Sequence, residues 1–278
     1  MKIFKTKIQL RQWRKTLSNE SVGFVPTMGA LHKGHLSLVK ASKKKCQKTV
    51  VSVFINKLQF GPHEDFNAYP RFIEQDIALL ENEKIDALFC PEPEEMYPND
   101  ISFKINEDKI TNELEGKSRP GFFSGVCLVV LKLFNVVQPD YVFFGEKDIQ
   151  QLYIIKQMIQ DLNFPIALRA CPTVREKNGL AMSSRNKYLS DEDKKEACIL
   201  YQALVKGKKL LEEEKEIKYI KKQLLKLLNN KNISIDYLSI ANLNTFKEAI
   251  NNQDLPIVIA GAVYYKKIRL IDNIIIKK

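Results

Sequence analysis

Long apolar runs, paired cysteine motifs and histidines are scarce in this sequence of 278 residues. The most apolar long stretch, residues 126–137, contains Lys132 and is too short to cross a bilayer. The first residues lack the apolar core and cleavage site of a secretory signal. The five cysteines are odd in number and never form C-x-x-C, which argues against a disulfide framework or a zinc site. These absences predict a cytoplasmic protein with no membrane partner.

The composition favours a folded protein that binds anions. Hydrophobic residues make up 45% of the chain, enough for one large core or two modest ones. The formal net charge of +11 suits ATP, nucleic acid and an acidic lipid surface alike. A nucleic-acid-binding protein is the less favoured alternative, because the lysines are spread along the chain and no basic-aromatic stacking platform accompanies them.

Strand-like and helix-like segments alternate over the first two-thirds of the chain. β-branched and aromatic residues predict strands at residues 22–26, 49–54, 87–90 and 141–144. Apolar residues at helical spacing predict helices at residues 70–83, at 126–137 and from about residue 148. This alternation predicts a parallel sheet that binds ligands at the carboxyl ends of its strands. We therefore expect an α/β fold with a Rossmann-like nucleotide-binding domain over residues 1–174.

The pattern changes after about residue 175. Segments rich in lysine, glutamate and leucine predict two amphipathic helices, at residues 192–211 and 214–228. Strand-like runs follow at residues 235–240, 256–263 and 268–276. Residues 175–278 are therefore expected to form a smaller α+β domain that acts as a lid.

Two of the three histidines lie three residues apart, directly after the first predicted strand. His32 and His35 stand at an expected helix start, where backbone N–H groups are free and the helix dipole is positive. Gly29 and Gly34 would let the backbone approach an anion closely. Because residues three apart share a helical face, both imidazoles can face one ligand. The pattern predicts a nucleotide-phosphate site, whereas the third histidine, His63, is expected in a loop.

Two further segments suit phosphate binding. The strand at 141–144 leads into Gly145-Glu146-Lys147-Asp148, where the ammonium of Lys147 can lie over a phosphate and Asp148 can accept a ribose hydroxyl. Met182-Ser183-Ser184-Arg185 combines two hydroxyls with a guanidinium, which grips phosphate in a fork. Taken alone, each segment is equally typical of an ordinary turn or a polar linker. The nucleotide-site hypothesis therefore depends on the three segments together.

Neutral amides mark a region for a small organic substrate. Asn56 and Gln59 follow the strand at 49–54 and are flanked by apolar residues, as in sites that orient a hydroxylated or carboxylated molecule. Gln151 lies one turn beyond Asp148 and would face the same ligand. Arg119 is a further candidate for binding a carboxylate.

Together these strings resemble the pantoate–β-alanine ligases, or pantothenate synthetases, of the nucleotidyltransferase superfamily, over about residues 22–190. Pro26-Thr27-Met28-Gly29-Ala30-Leu31-His32-Lys33-Gly34-His35 resembles the HIGH-type signature of that family. Beyond residue 190 only the general character matches. The resemblance implies a homodimer that uses ATP and Mg²⁺ to condense pantoate with β-alanine through a pantoyl adenylate, releasing pyrophosphate and AMP. It also implies that the domain of residues 1–174 binds pantoate as well as the nucleotide.

The resemblance further implies roles for individual residues. The expected ATP-binding residues are Pro26, Thr27, Met28, Gly29, Ala30, Leu31, His32, Lys33, Gly34, His35, Gly145, Glu146, Lys147, Asp148, Val174, Met182, Ser183, Ser184 and Arg185. The expected catalytic donors among them are His35, His32, Lys147, Ser183, Ser184 and Arg185. The substrate-binding residues implied are Gln59, Gln151, Asn56 and Tyr69, and Asp76 is implied to help hold Mg²⁺.

Two features depart from the family pattern. Lys57 stands where proline is usual, and Phe122 and Ser124 replace a histidine and an arginine. Rival interpretations are a nucleotidyltransferase that leaves the adenylyl group on its product, or a fragment of a tRNA synthetase. A synthetase would need a tRNA-binding extension, and the segment that follows Arg185 is small for one.

Overall fold

The computed structural model describes residues 1–62, 64–99 and 101–277, so His63 lies outside the described residues. The chain divides into two compact units. The first unit comprises Met1–Glu107, Arg119–Glu146 and Ile154–Pro172, and the second comprises Asp108–Ser118, Lys147–Tyr153 and Thr173–Lys278. Two short segments are thus grouped with the C-terminal part of the chain. The domain boundary at residues 174 and 175 stays a prediction.

The strands and helices are numbered in chain order. Up to residue 172 they are β1 (Lys2–Phe4), α1 (Lys7–Lys15), β2 (Val22–Thr27), α2 (Lys33–Lys45), β3 (Lys48–Val53), α3 (Ile73–Asn82), β4 (Ala87–Phe89), α4 (Pro93–Met96), α5 (Leu114–Ser118), α6 (Phe122–Val137), β5 (Tyr141–Gly145), α7 (Ile149–Asp161) and β6 (Ala167–Cys171). The later ones are α8 (Asp191–Ala197), α9 (Ile199–Glu212), α10 (Ile217–Leu228), β7 (Ile233–Asn242), β8 (Ile257–Tyr265) and β9 (Ile268–Ile276).

The first unit contains a six-stranded sheet in the order β1-β4-β3-β2-β5-β6, and its neighbouring strands all pair in parallel. The predicted parallel α/β sheet is therefore confirmed. After β2 the chain adds β3 and then β4 on one side of it, and later adds β5 and β6 on its other side. This reversal makes β2 the switch point, where open parallel sheets bind ligands beyond the carboxyl ends of their strands.

Continuous burial explains why the central strands form. β2 and β3 are buried along nearly their whole length, as β-branched and aromatic strands between helices should be. Helix α2 packs Leu38 and Val39 into a core that includes Val25 and Val51. Helix α3 begins at Ile73 rather than at residue 70, with Phe72 as its N-cap.

The second unit contains a three-stranded antiparallel sheet in the order β7-β8-β9. Apolar faces of α9 and α10, including Leu204 and Leu224, form its core with Ile259 of β8. The α+β character predicted for this part of the chain is confirmed. The helix predicted over 192–211 is two helices, which meet at Cys198.

The described part of the chain contains no helix that is both long and apolar enough to cross a membrane. All five cysteines are free thiols, and four of them are buried.

Candidate active site

The loop after β2 has a backbone that few residues could adopt. Gly29 and Ala30 both have positive φ angles, of 80° and 50°. A Cβ atom at Gly29 would lie 2.9 Å from Oδ2 of Asp76 and 3.0 Å from the side chain of Val53. Glycine is therefore required at position 29 both for its conformation and for its lack of a side chain.

Asp76 holds this loop in place. It lies in the first turn of α3 and is only 2% exposed. Its Oδ2 accepts the backbone N–H of Ala30 at 2.8 Å, and its Oδ1 accepts the N–H of Leu31 at 2.7 Å. Hydrogen bonds to a charged group contribute about 1.5–3 kcal/mol each, so this carboxylate fixes the loop strongly. Thr27 adds a third constraint, because its hydroxyl accepts the N–H of Gly29.

These contacts correct the expectation that the glycine-containing backbone offers free N–H groups to phosphate. The N–H groups of Gly29, Ala30 and Leu31 all donate within the protein. The N–H of Gly34 donates to Nδ1 of His32 at 3.1 Å. These four N–H groups are therefore engaged within the protein, and the predicted phosphate contacts of this segment are expected from other groups, including its side chains.

The two histidines lie together, as their spacing predicts. His32 is the N-cap of α2, His35 belongs to the first turn of that helix, and their ring centroids are 4.1 Å apart. Since Nδ1 of His32 accepts a hydrogen bond, the neutral ring carries its proton on Nε2. The predicted role of His32 assigns that N–H as a donor to an anion at the helix start.

The amide of Asn56 is engaged by the protein. The residue is fully buried, and its Nδ2 donates to Oε1 of Gln59 at 3.1 Å and to the carbonyl of Gly125 at 3.0 Å. Its Oδ1 accepts the hydroxyl of Tyr97 at 3.1 Å. Gln59 in turn places Nε2 2.8 Å from the sulfur of Met28. These contacts favour a role for Asn56 in orienting Gln59, and its direct contact with substrate stays a prediction.

Gly125 packs against the backbone of Leu58 and Gln59, and Tyr69 packs against the next residue, Phe60. A Cβ at Gly125 would lie 2.1 Å from the carbonyl oxygen of Leu58, so α6 can approach this segment only with glycine there. Tyr69 is buried and packs edge-on against Phe60, with ring centroids 5.7 Å apart.

The structure corrects the interpretation of Arg119 as a carboxylate-binding residue for substrate. Its guanidinium forms a bidentate pair with Glu64, through Nε at 2.6 Å and Nη2 at 2.5 Å. Nη2 also donates to the carbonyl of Gln59 at 3.3 Å. Phe122, one of the departures from the family pattern, lies with its ring centroid 3.6 Å from the guanidinium carbon. Arg119 thus holds the backbone at Gln59.

In the second unit, Lys147 and Asp148 directly precede α7. The ammonium of Lys147 lies 3.5 Å from Oδ1 of Asp148, and the Asp148 side chain is nearly half exposed. Gln150, beside the predicted substrate residue Gln151, is buried and donates to the carbonyls of Ile110 and Glu113 at 2.7 and 2.9 Å. The start of α7 is therefore tied to the segment around α5.

The Ser-Ser-Arg segment of the second unit is joined to Val174. The N–H of Met182 donates to the carbonyl of Val174 at 3.0 Å, so two predicted ATP-binding residues pair directly. Ser183 caps the 3-10 turn Ser184–Tyr188, because its hydroxyl accepts the N–H of Arg185 at 3.3 Å. Asn186 fastens this turn by donating to the carbonyl of Ala181.

The sequence reasoning missed several supporting residues. Gln150 is one, and a buried aspartate and asparagine in β9, Asp272 and Asn273, are two others. The available signal was a polar pair inside the apolar run of residues 268–276.

The contacts of Asp76 disfavour a role as a ligand for Mg²⁺, because one lone pair of each carboxylate oxygen already accepts a backbone N–H. Its predicted metal role is not tested by these contacts. Within residues 1–62, 64–99 and 101–277, no group of three histidine, cysteine, aspartate or glutamate side chains could hold a metal ion.

The family model for pantoate-beta-alanine ligase matches residues 2–275. The chain belongs to this family. The match extends well beyond residue 190, where the motifs predict only a general likeness. The predicted ATP-dependent ligase is thereby confirmed. The family match favours it over a tRNA-synthetase fragment or a nucleic-acid-binding protein.

Individual relatives are similar to this chain over nearly their full length. Pantothenate synthetase from Caldicellulosiruptor bescii is 49% identical and that from Thermosipho africanus 48% identical, over 98% and 93% of both chains. The crystal structure of pantothenate synthetase from Thermus thermophilus has a TM-score of 0.94 at 41% identity, covering 100% of both chains. Pantoate-beta-alanine ligase from Francisella tularensis, complexed with beta-gamma ATP and beta-alanine, has a TM-score of 0.82 at 35% identity, over 99% of this chain and 97% of that one.

Proposed function

We propose that the expected ATP-binding residues and substrate-binding residues bind ATP, pantoate and β-alanine, and that catalysis proceeds through pantoyl adenylate. The paired imidazoles of His32 and His35, at the start of α2 directly after the loop that Asp76 holds, are the observation that carries this proposal. The Francisella ligase complexed with beta-gamma ATP and beta-alanine supports the identity of two of the substrates.

In the first step, a carboxylate oxygen of pantoate attacks the α-phosphorus of ATP. The bond from that phosphorus to the bridging oxygen breaks, and pyrophosphate leaves with the bonding electrons. Negative charge grows on the α-phosphate and on pyrophosphate, so fixed cationic and hydrogen-bond donors stabilise the transition state more than the ground state. We assign this role to the expected donors His32, His35, Lys147, Ser183, Ser184 and Arg185.

In the second step, the amine of β-alanine attacks the acyl carbon of pantoyl adenylate. The acyl–oxygen bond breaks, AMP leaves as the anion, and the amine loses its proton to water. Correct placement of two bound reactants can supply most of the acceleration, so no covalent nucleophile is required. We assign the orientation of pantoate to Gln59 and Gln151, with Asn56 and Tyr69 supporting Gln59.

Mg²⁺ is proposed to enter with ATP, because this ion retains waters and is commonly held by substrate phosphates. It would neutralise charge on those phosphates. The proposal gives Asp76 no part in holding the ion, since its oxygens are engaged with the loop after β2. A cytoplasmic location and a homodimer are also proposed; the free cysteines suit a reducing compartment, and the homodimer follows from the family resemblance.

The test is to incubate the protein with ATP, Mg²⁺, pantoate and β-alanine and to measure AMP and pantothenate. Exchange of labelled pyrophosphate into ATP should require pantoate and proceed without β-alanine. Exchange that is independent of pantoate would refute the adenylate route. Size measurement in solution checks the homodimer separately.

A further inference from the structure

We propose that Asp272 and Asn273, adjacent residues of β9, are positioning residues that set the Lys147 segment and the Val174–Arg185 segment in register. The inference rests on the proposed function of those two segments in ATP binding. It assigns a role in adenylation to the last strand of the chain, in a region that carries none of the recognised motifs.

Asn273 holds the backbone at Lys147. Its Nδ2 donates to the carbonyl oxygen of Lys147 at 2.8 Å, and the residue is buried. Its own backbone N–H donates to Oδ1 of Asp272 at 2.8 Å, so the two side chains are linked. Loss of the Asn273 amide would release the residue that carries the proposed phosphate-binding ammonium.

Asp272 holds the other segment through Arg175. The guanidinium donates to Oδ2 at 2.5 Å and to Oδ1 at 3.0 Å, a bidentate pair of good geometry. Arg175 also donates to the carbonyl of Gly179 at 3.1 Å and lies over the ring of Tyr201 at 3.9 Å. Because Arg175 directly follows Val174 and pairs with Ala181, these contacts fix the base of the segment that ends in Ser-Ser-Arg.

The placement of this ion pair is hard to explain by stability alone. Burial raises the pKa of Asp272, and the hydrogen bonds and charge of Arg175, the N–H of Asn273 and the charge of Lys147 oppose that rise. A buried ion pair often contributes no more stability than well-packed apolar residues would. The neighbours of Asp272 and Asn273 in β9, Ile271 and Ile274, are apolar, so the polar pair interrupts an apolar run. Contact with two predicted ATP-binding segments gives the polar pair a functional reason.

The test compares Asn273→Ala and Asp272→Asn with a matched control, Tyr265→Phe. The control removes a buried hydroxyl in the same sheet, whose oxygen carries one proton and lies within hydrogen-bond distance of Asp193 and Glu196, and it touches neither segment. Three quantities are measured for each: pantoate-dependent ATP–pyrophosphate exchange, pantothenate formation from supplied pantoyl adenylate, and the midpoint of urea unfolding.

We expect the two test variants to lose about ten- to a hundredfold in exchange rate, because small misplacements of catalytic groups have effects of this size. The second half-reaction should change by less than about threefold, since pyrophosphate and its charge are absent from that step. Tyr265→Phe should keep its exchange rate within about twofold of the unmodified protein, even if its urea midpoint falls as far as those of the two test variants. Asp272→Glu, which keeps the carboxylate, should recover part of the loss.

Two results would overturn the inference: unchanged exchange in both test variants, or an equal loss in both half-reactions that merely follows the urea midpoint. Asn273→Asp has the same shape but cannot donate, and it replaces Asn273→Ala if the alanine variant is insoluble. If the unmodified protein shows no pantoate-dependent exchange, the proposed function fails instead.

Discussion

Replacing Asp76 by asparagine should damage both stability and adenylation, although Asp76 is not expected to touch ATP. The amide keeps one acceptor oxygen but turns its NH₂ group towards the N–H of Ala30 or Leu31. One charge-assisted hydrogen bond is lost and one buried N–H is left without an acceptor. With about 1.5–3 kcal/mol for such a bond, we expect the free energy of unfolding to fall by about 2–4 kcal/mol.

The effect on adenylation follows from the position of the loop. Ala30 and Leu31 immediately precede His32, so release of their N–H groups lets the paired imidazoles move. A displacement of about 1 Å at a catalytic group can lower the rate about a hundredfold. We therefore expect pantoate-dependent ATP–pyrophosphate exchange to fall by about two orders of magnitude, measured at a temperature where the variant is fully folded.

Glu74→Gln is the matched control, because Glu74 is an exposed acid in the same first turn of α3. It removes an equal charge from the helix N-terminus without touching the loop, so its effect reports the helix dipole alone. The reasoning is refuted if Asp76→Asn matches that control, with a free energy of unfolding within about 0.5 kcal/mol and an exchange rate within about twofold. The loop would then not depend on the carboxylate.

Three further predictions concern other parts of the chain. His35→Ala should fold normally and lose about 10²- to 10³-fold in ATP–pyrophosphate exchange, and near-normal turnover would contradict its role as a charge-stabilising donor. The hydrogen bond from Lys266 holds the pKa of Asp193 at about 2, below its ordinary value of 3.8. A folded-state pKa below the unfolded one stabilises the protein above about pH 4, and this contribution is lost as the pH falls towards 2. Asp193→Asn should therefore lower the urea midpoint at pH 7 but not near pH 2, whereas an equal difference at both values would refute the linkage. Burial raises the pKa of Cys127 to about 12 and of Cys46 to about 11, so an aromatic disulfide reagent at pH 8 should label these thiols only after unfolding. Rapid labelling of either in the native protein would contradict their burial.

The parts of the fold that sequence predicted are those whose burial leaves a local pattern. β2, β3 and β5 lie within two residues of their predicted bounds, since strands buried on both faces are continuous runs of β-branched and aromatic residues. β6 was missed, because this edge strand is largely exposed and its residues show no apolar alternation. The interruption between α8 and α9 was also missed, because no glycine or proline marks Cys198.

For the candidate site, the sequence indicates segments that are predicted to carry chemistry, but not the residues that hold those segments in place. His32 and His35 were visible because their spacing on one helix places them together. Asp76 and Asn273 contact residues far away in the chain, and such pairings leave no periodic signal in a single sequence. Asp76 was noticed only as a carboxylate, which led to a metal role that its two occupied oxygens do not favour.

Under the proposed function, the loop after β2 that Asp76 and Thr27 hold in place also bears on the affinity for ATP. Its left-handed residues and internal N–H bonds are formed by folding, so the conformational entropy of this loop is lost before any ligand arrives. The apparent affinity for a ligand falls when only a small fraction of the protein molecules is in the binding-competent conformation. A site that is already ordered avoids this loss. Under the proposed function, ATP would meet a loop that is already ordered, and the selectivity of this loop for phosphate would be fixed when the polypeptide folds.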